Sequence, residues 1–496
     1  MRANSSKAIS RLAPPLDAQD VLIRLESEGV SNAAARRKGY ADLWAMAQAQ
    51  YREGKFETRN PPDSKKPRSA LKDYFLGIAF ALPMAVSGLA MLFLQYSLWG
   101  GNLPTDVGAA VAVGTVASFV VSGGFVQAMA RRGMFFMGTK EPLVCFESTL
   151  DWLGMGALAL AFTGCIVLSL NWYFAWLTPE VALMATAFLL GLGVFWLATG
   201  VLYMLDRNIE VLVAVLLGLG VVTALHRFLG IQVVLAQIVG VVVAAGVAVL
   251  SGIRLLAKPV ATGQNPMRSE PFGRTVVYAG PYFLYGALLY AFLFADRIVA
   301  WTAQAGAYRL MFRSDYETAV NVALFAFVMQ VGWVRVSGAQ YRDSLQKLLT
   351  AFPANKIEAF NGAMRQFYWK RMGHFAAIAI VSTAAAYAGS KWFGVIKTPT
   401  ILLVAILALA ACPLLVWSLW NVNLLFALSR PWTVLGALGS ACLANLLIGY
   451  LFSRIGGYQF SAAGFALGAA VLAVLTTRST LRTLDHCAYY NFVSGA

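Results

Sequence analysis

The chain has 496 residues, of which 59% are hydrophobic and 12% are charged, whereas roughly 25% of the residues of an ordinary soluble domain are charged. This composition excludes a soluble enzyme and indicates that most of the chain lies in a membrane. The net charge of +16 comes from 39 Lys and Arg residues against 23 Asp and Glu residues. Such an excess is typical of nucleic-acid binding or of the cytoplasmic side of a membrane protein, so the positions of the charges decide between the two.

A polar extension occupies residues 1–73, where basic residues outnumber acidic ones. Tyr40, Leu43, Trp44 and Tyr51 recur there at helical spacing. We predict that 1–73 is a short cytoplasmic helical extension, a hairpin followed by a linker that contains proline. The apolar stripe could bind a partner protein or the lipid surface, or it could hold the two helices of the hairpin together.

Apolar stretches follow this extension to the end of the chain, each close to the roughly 20 residues that cross a bilayer. They lie at roughly 74–97, 107–130, 154–176, 181–205, 209–229, 231–256, 275–299, 318–337, 373–393, 400–426, 431–454 and 460–477. Backbone polar groups in lipid must be hydrogen-bonded within the segment, so stretches of this length are helices. The sequence therefore predicts an all-α polytopic membrane protein with about twelve transmembrane helices.

The twelve stretches divide into two groups of six, which is typical of an internal repeat. The predicted segments are the extension 1–73, a first six-helix bundle at 74–256, a cytoplasmic linker at 257–274, a second six-helix bundle at 275–477 and a cytoplasmic tail at 478–496. In each group the longest connection joins the second and third helices. In the second group this connection, 338–372, is predicted to be an amphipathic cytoplasmic loop that is helical.

The basic residues set the expected orientation. With the N-terminal extension inside, most Lys and Arg residues fall in cytoplasmic segments, as the positive-inside rule requires. The net charge is then explained without a nucleic-acid partner. Both termini are expected to be cytoplasmic.

Motifs for catalysis and cofactor binding are weak in this sequence. The string from Gly133 to Lys140 resembles a phosphate-binding loop, but Lys140 follows Thr139 instead of preceding it. The five cysteines are far apart in the sequence, and the three histidines are isolated from carboxylates and cysteines at ligand spacing. We therefore expect no catalytic residue, no metal site and no cofactor, and we interpret the protein as a non-enzyme.

The seventh apolar stretch carries most of the polar groups at membrane depth, where such groups are costly and are candidates for function. These are Tyr282, Tyr285, Tyr290, Asp296, Arg297 and Trp301. Aromatic rings with sparse polar groups suit a sugar chain, whose C–H faces pack on rings. Alternatively, the aromatic residues form an interfacial belt and the two charges extend to the outer surface.

Four further polar residues lie within apolar stretches of the second group, namely Gln330, Arg335, Asn421 and Asn423. Each is a candidate for the substrate path. Each could equally form a hydrogen bond between helices, which is the commoner role of such residues.

One segment resembles a known family. The run from Tyr285 to Trp301, with its Asp-Arg pair before an aromatic helix end, is similar to the corresponding segment of Pel-type exopolysaccharide transporters. The similarity continues through Ser314-Asp-Tyr-Glu317, Tyr341-Arg-Asp-Ser-Leu345, Gly464-Phe-Ala-Leu467 and Leu484-Asp-His486. The N-terminal extension is absent from that pattern, and Arg297 occupies a position where Lys is more usual.

The resemblance implies membership of the multidrug/oligosaccharidyl-lipid/polysaccharide flippase superfamily, with two six-helix bundles around a central cavity. It implies a bacterial inner-membrane transporter that exports a Pel-like exopolysaccharide. The implied partners are the polysaccharide, a cytoplasmic glycosyltransferase, other membrane subunits of a secretion complex and membrane lipids. Two alternatives are a 6+6 secondary carrier for another solute or a lipid-linked sugar, and a membrane scaffold of an envelope synthesis complex that transports nothing.

Overall fold

A computed structural model describes residues 18–27, 32–53, 69–139, 141–175, 177–261, 272–304, 310–352 and 356–494. By their contacts the residues form two compact units. One unit comprises Met1–Lys72 with Gln340–Met364, and the other comprises Asp73–Ala339 with Arg365–Ala496.

The N-terminal extension is helical where it is described. It contains α1 (Ala18–Ser27), α2 (Asn32–Arg37) and α3 (Leu43–Glu53). Leu43 and Met46 pack with Val21 and Leu25 in a small buried cluster, whereas Trp44 is exposed. The stripe that the sequence indicated is therefore divided, with part of it holding α1 and α3 together and part of it facing outward.

Twelve helices in the described part of the chain are long and apolar enough to cross a membrane. Their bounds are α4 (Ala70–Leu94), α5 (Thr105–Gly138), α6 (Pro142–Phe174), α7 (Pro179–Met204), α8 (Asn208–Thr223), α9 (Val233–Ala261), α10 (Phe272–Thr302), α11 (Ser314–Ala351), α12 (Ile357–Trp392), α13 (Pro399–Ala427), α14 (Pro431–Gly456) and α15 (Ser461–Leu484). A short helix, α16 (Cys487–Ser494), follows. The predicted all-α polytopic fold is confirmed.

Proline and threonine residues mark several helix starts. α6, α7, α13 and α14 each begin with a proline, whose fixed φ suits the first helical turn and whose missing N–H costs nothing there. Thr178 and Thr398 cap α7 and α13 by accepting a hydrogen bond from the backbone N–H three residues ahead. These signals fix where the chain re-enters a helix after a short turn.

The segment predicted as the loop 338–372 is helical for most of its described length, because α11 continues to Ala351 and α12 starts at Ile357. Along the first turns of α12, Phe360 and Met364 are buried. Their spacing of four residues places them on one helical face, as the amphipathic pattern indicated.

The helices of the larger unit form two bundles, which we call the first bundle (α4–α9) and the second bundle (α10–α15). In the first bundle α5 packs on α6 and α7, and α9 packs on α7 and α8. In the second bundle α15 packs on α13 and α14, and α14 packs on α10. The bundles meet where α10 lies against α5 and where α4 lies against α11. We call these two helix pairs the bundle interface.

Candidate functional site

Asp296, near the C-terminal end of α10, is buried with 2% of its surface exposed. Its Oδ2 accepts a hydrogen bond of 2.6 Å from the hydroxyl of Tyr316. Its other oxygen, Oδ1, is also buried and has no hydrogen-bond partner among the described residues. Asp296 is thus fixed to α11 through one of its carboxylate oxygens.

Arg297 has a different partner on the same helix. Its guanidinium lies 3.6 Å from the Glu317 carboxylate, with 22% and 16% of the two side chains exposed. The indole N–H of Trp301 donates to the other Glu317 oxygen at 3.3 Å, and the ring of Phe294 lies under the guanidinium at 5.0 Å. Trp301 therefore fixes the carboxylate of this ion pair, and Phe294 packs on its guanidinium.

Two consecutive residues of α10 meet two consecutive residues of α11. Neighbouring side chains on a helix point about 100° apart, so Asp296 and Arg297 cannot share one partner, and Tyr316 and Glu317 serve them separately. Both partners lie in the first turn of α11, where the helix dipole favours negative charge. The network belongs entirely to the second bundle.

An arginine at the start of α11 closes this network. Arg313 donates to the backbone oxygens of Ala303 and Gln304 at 2.8 and 2.9 Å, and its guanidinium lies over the ring of Tyr458 at 4.3 Å. The Tyr458 hydroxyl donates to the carboxylate of Asp315. The ends of α10, α11 and α15 are thereby tied together beside Asp296.

A line of aromatic rings lies at the bundle interface. Phe119 of α5 stacks on Tyr290 of α10 with ring centres 5.1 Å apart, and on Trp196 of α7 at 4.3 Å. Phe294 lies 5.4 Å from Phe119, and Trp99 lies 5.4 Å from Trp196. We call these five residues the aromatic ladder. It joins α10 of the second bundle to the interior of the first bundle.

Tyr282 and Tyr285 lie on another face of α10. Both rings pack 4.9 Å from the ring of Phe426 on α13. The guanidinium of Arg131 on α5 lies 5.0 Å from the centre of the Tyr282 ring. The aromatic residues of α10 therefore contact different neighbours. Tyr282 and Tyr285 pack on Phe426 of the second bundle, Tyr282 also meets Arg131 of the first bundle, and Tyr290 packs on Phe119 of the first bundle.

Gln330 and Asn421 connect helices inside the second bundle. The Gln330 amide donates to the Ser382 hydroxyl of α12 at 2.9 Å, and its oxygen accepts from the Cys412 thiol of α13 at 3.5 Å. The Asn421 amide lies between the Tyr368 hydroxyl at 3.0 Å and the Thr477 hydroxyl at 3.0 Å. Asn423 is exposed on the surface of α13. These contacts are those of hydrogen bonds between helices.

Arg335 lies at the bundle interface and makes an ion pair that joins the two bundles. Both terminal nitrogens of its guanidinium donate to the carboxylate of Asp206, at 2.7 and 2.8 Å. Asp206 is in the turn between α7 and α8. These hydrogen bonds lower the pKa of the Asp206 carboxyl below its ordinary value, so the pair is fully charged near neutral pH and is lost only as the pH falls through that lowered pKa.

Metal-ligating side chains are scattered. Among the described residues, no three His, Cys, Asp or Glu side chains come together in a group that could hold a metal ion. The residues that sequence reasoning missed include Asp206 and Phe119, because each acquires its role from a residue of the other bundle. Their sequence neighbours carry no signal for that pairing.

Comparisons with known proteins place the fold. No protein-family model matches the sequence, and no curated protein is similar to it. A mutant of the Vibrio cholerae MATE transporter VcmN is similar in structure, with a TM-score of 0.59 and 12% identity over 84% of this chain and 96% of that chain. The chain has the MATE fold.

Two further solved structures agree. A MATE transporter in the straight conformation gives a TM-score of 0.57 with 15% identity, covering 84% of this chain and 96% of that one. An outward-facing multidrug resistance MATE family transporter of the MOP superfamily gives 0.54 with 14% identity, covering 85% and 99%. The fold of two six-helix bundles that the sequence resemblance implied is thus also the fold of these solved structures.

Proposed function

We propose that the protein is a membrane transporter that exports an exopolysaccharide of the Pel type. The observation that carries this proposal is the aromatic ladder, because it crosses the bundle interface from Tyr290 of α10 to Phe119 of α5 and continues to Trp196 inside the first bundle. The MATE fold supports the transporter part of the proposal. The sequence similarity around Asp296 and Arg297 supports the polysaccharide part.

The chemistry of a sugar chain fits this interface. The C–H faces of a pyranose pack on aromatic rings, and each ring pair contributes beyond its buried area. Hydroxyl groups need hydrogen-bond donors and acceptors. The hydroxyl of Tyr290 is such a group at the interface, and the Asp296 oxygen without a partner is another on the second-bundle side of α10. A stack of rings with few polar groups would let a polymer slide, since no single contact is strong.

We further propose that the protein works in the inner membrane of a bacterium with a cytoplasmic glycosyltransferase and other membrane subunits of a secretion complex. A polymer made in the cytoplasm must enter the path at the cytoplasmic end as it grows. The polar N-terminal extension, with exposed Trp44 on α3, offers a surface outside the membrane helices for such a partner.

The distribution of basic residues predicts the orientation in the membrane. Reporter fusions after Leu256, Ser337 and Arg478 are expected to be cytoplasmic, and fusions after Gly101 and Ala305 are expected to be periplasmic. The reason is that positively charged loops are retained on the cytoplasmic side. A periplasmic reporter after Leu256 would contradict the division into six and six.

The transport path is tested by removing one ring at the bundle interface. In cells without their own copy of the gene, Tyr290→Leu is expected to lower the secreted polysaccharide per molecule of membrane protein about two- to tenfold, because one stacking surface is lost. Tyr290→Phe keeps the ring and loses only the hydroxyl, so its export is expected to lie between that of Tyr290→Leu and that of the unchanged protein. Asp296→Asn keeps an oxygen that can accept the Tyr316 hydrogen bond, so the protein is expected to reach normal abundance. Because the second carboxylate oxygen is lost, export is expected to be reduced.

The matched control removes a ring from the interior of the second bundle. Phe465 packs on Phe292 with ring centres 5.6 Å apart, away from the aromatic ladder. Phe465→Leu is expected to change abundance but not export per molecule. Equal export per molecule from Tyr290→Leu and Phe465→Leu would contradict the proposed path. If deleting the gene leaves secreted polysaccharide unchanged, the exporter function itself is wrong.

A further inference from the structure

The α4–α11 pair of the bundle interface depends on glycines near one end of its helices. A Cβ atom placed on Gly77 of α4 would come within 2.8 Å of the Gly332 backbone of α11, and one placed on Gly332 would come within 2.9 Å of Tyr74. Farther along α4, a Cβ on Gly88 would lie 3.9 Å from Phe325, which is ordinary contact. Along the α4–α11 pair, the two bundles therefore approach most closely where α4 begins.

The turn between α7 and α8 lies at that same end and binds both α4 and α11. The Tyr203 hydroxyl donates to the backbone oxygen of Phe80, and the Asn208 amide donates to that of Leu76, each at 3.1 Å. Between them, Asp206 accepts both hydrogen bonds from Arg335 of α11. One short turn thus holds the first helix of its own bundle and an arginine of the other.

The backbone of this turn presents the carboxylate. Asp206 has a φ of +60°, a left-handed conformation that Asp and Asn adopt more readily than most residues. The ion pair stays accessible to water, with 34% of the Arg335 side chain and 56% of the Asp206 side chain exposed. A pair with this exposure is weak enough to break and form again, unlike a buried one.

We propose that the ion pair between Asp206 and Arg335 is a latch that holds the bundle interface closed at the end where α4 begins. Opening of the bundles at this end breaks the pair. Arg335 is then a positioning residue, and it does not contact the substrate. The use that a cell makes of this opening rests on the transport function proposed above, whereas the latch itself is a property of the chain alone.

The test measures how often the interface opens. Ala81 of α4 is buried against Val328 of α11, so a cysteine there reacts with a water-soluble maleimide only when the bundles separate. Cys165, the exposed cysteine among the described residues, is replaced by Ser. The full-length protein carrying Ala81→Cys is labelled in lipid nanodiscs, and the labelling rate reports the open population.

Removing either charge is expected to raise the labelling rate about two- to fivefold, which is the range for an exposed ion pair. The variants are Arg335→Gln and Asp206→Asn, since Asn keeps the left-handed backbone. Arg335→Lys keeps the charge, so its labelling rate is expected to lie between the rates of these variants and the rate of the protein with Asp206 and Arg335 unchanged. Arg207→Gln is the matched control, because Arg207 pairs with Glu210 of its own bundle at 3.5 Å, and its rate is expected to stay unchanged.

Two results would overturn the latch. One is an unchanged labelling rate in both Arg335→Gln and Asp206→Asn. The other is an equal rise in the Ala81→Cys labelling rate for Arg207→Gln, or an equal rise in the labelling rate of the buried native Cys412 of α13 in the Arg335→Gln and Asp206→Asn variants. Either rise would show general loosening of the protein instead of opening at the interface. Failure of the exporter function appears separately, as normal secreted polysaccharide in cells without the gene, and it leaves the labelling rates untouched.

Discussion

Replacing Arg297 with Met is expected to remove about 3 kcal/mol or more of stability, because Glu317 would keep its charge in a largely buried position without its cation. Adding Glu317→Gln to this variant is expected to restore most of the loss. The neutral amide oxygen can still accept the hydrogen bond from the Trp301 indole, and no charge remains to be compensated. Thermal unfolding of the four proteins of this double-mutant cycle, purified in one detergent, gives the coupling between the two residues.

An exposed ion pair elsewhere in the second bundle is the control for this cycle. Arg365 lies 3.1 Å from Asp485, and about half of each side chain is exposed, 52% and 45%. Arg365→Met is expected to cost at most about 1 kcal/mol, as for other solvated pairs. Equal unfolding temperatures for Arg297→Met and Arg365→Met would show that the Arg297 pair is as well solvated as the control, and the argument from burial would fail.

The helices could be predicted from the sequence because the membrane leaves so few choices. A long apolar segment must satisfy its own backbone, so each window of about 20 apolar residues becomes a helix irrespective of its neighbours. Proline at the first position of α6, α7, α13 and α14 adds local information about where the segments begin. These are properties of short stretches, and they need no knowledge of how the bundles pack.

The geometry of α10 also follows from its sequence. Asp296 and Arg297 are adjacent, so helical geometry alone requires that they point to different partners. The structure supplies Tyr316 and Glu317 in those roles. The identity of these partners could not be derived, because it depends on where the start of α11 lies relative to the end of α10.

The partner of Arg335 could not be predicted from the sequence. Arg335 is recognisable as a charge within an apolar stretch, but its partner Asp206 lies 129 residues earlier in a short polar turn. Next to Asp206, Arg207 and Glu210 pair locally across one helical turn, and local pairing is the simplest reading of such a sequence. Only the contact between two bundles distinguishes Asp206 from these neighbours.

The structure of the N-terminal extension could be predicted only in part. Its helical spacing predicts an apolar stripe, and Leu43 and Met46 do pack on α1. Trp44 and Tyr51 continue the same pattern but remain exposed. Periodicity identifies the helix and its apolar faces, whereas which of these residues become buried depends on how the neighbouring helices pack.

Gly286→Ala is expected to have a large effect on the assembly of the two bundles, although it adds a single methyl group. The new Cβ would collide with the backbone oxygen of Gly123 on α5, and a backbone atom cannot move aside without shifting the helix. Close helix contacts in membranes depend on such small residues. We expect a loss of about 1–3 kcal/mol, the usual range for overpacking a tight contact, measured by thermal unfolding in nanodiscs.

The same helix provides the control. Gly280 is also a helical glycine of α10, but a Cβ there would meet no atom within 4 Å. Gly280→Ala is expected to be neutral or to add up to about 1 kcal/mol, because alanine is the better helix former. If Gly286→Ala and Gly280→Ala unfold at the same temperature, the close approach of α5 and α10 is not a reason why alanine is unfavourable in place of Gly286.

A second substitution separates a backbone collision from a side-chain collision at the same crossing. A Cβ on Gly123 would meet the ring of Tyr290 first and the Gly286 oxygen only at 3.1 Å. Tyr290→Ala is therefore expected to recover part of the stability lost in Gly123→Ala, since the obstructing ring is gone. It is expected to recover none of the loss in Gly286→Ala, because there the obstruction is the backbone of Gly123. Recovery in both double variants, or in neither, would contradict this packing of α10 on α5.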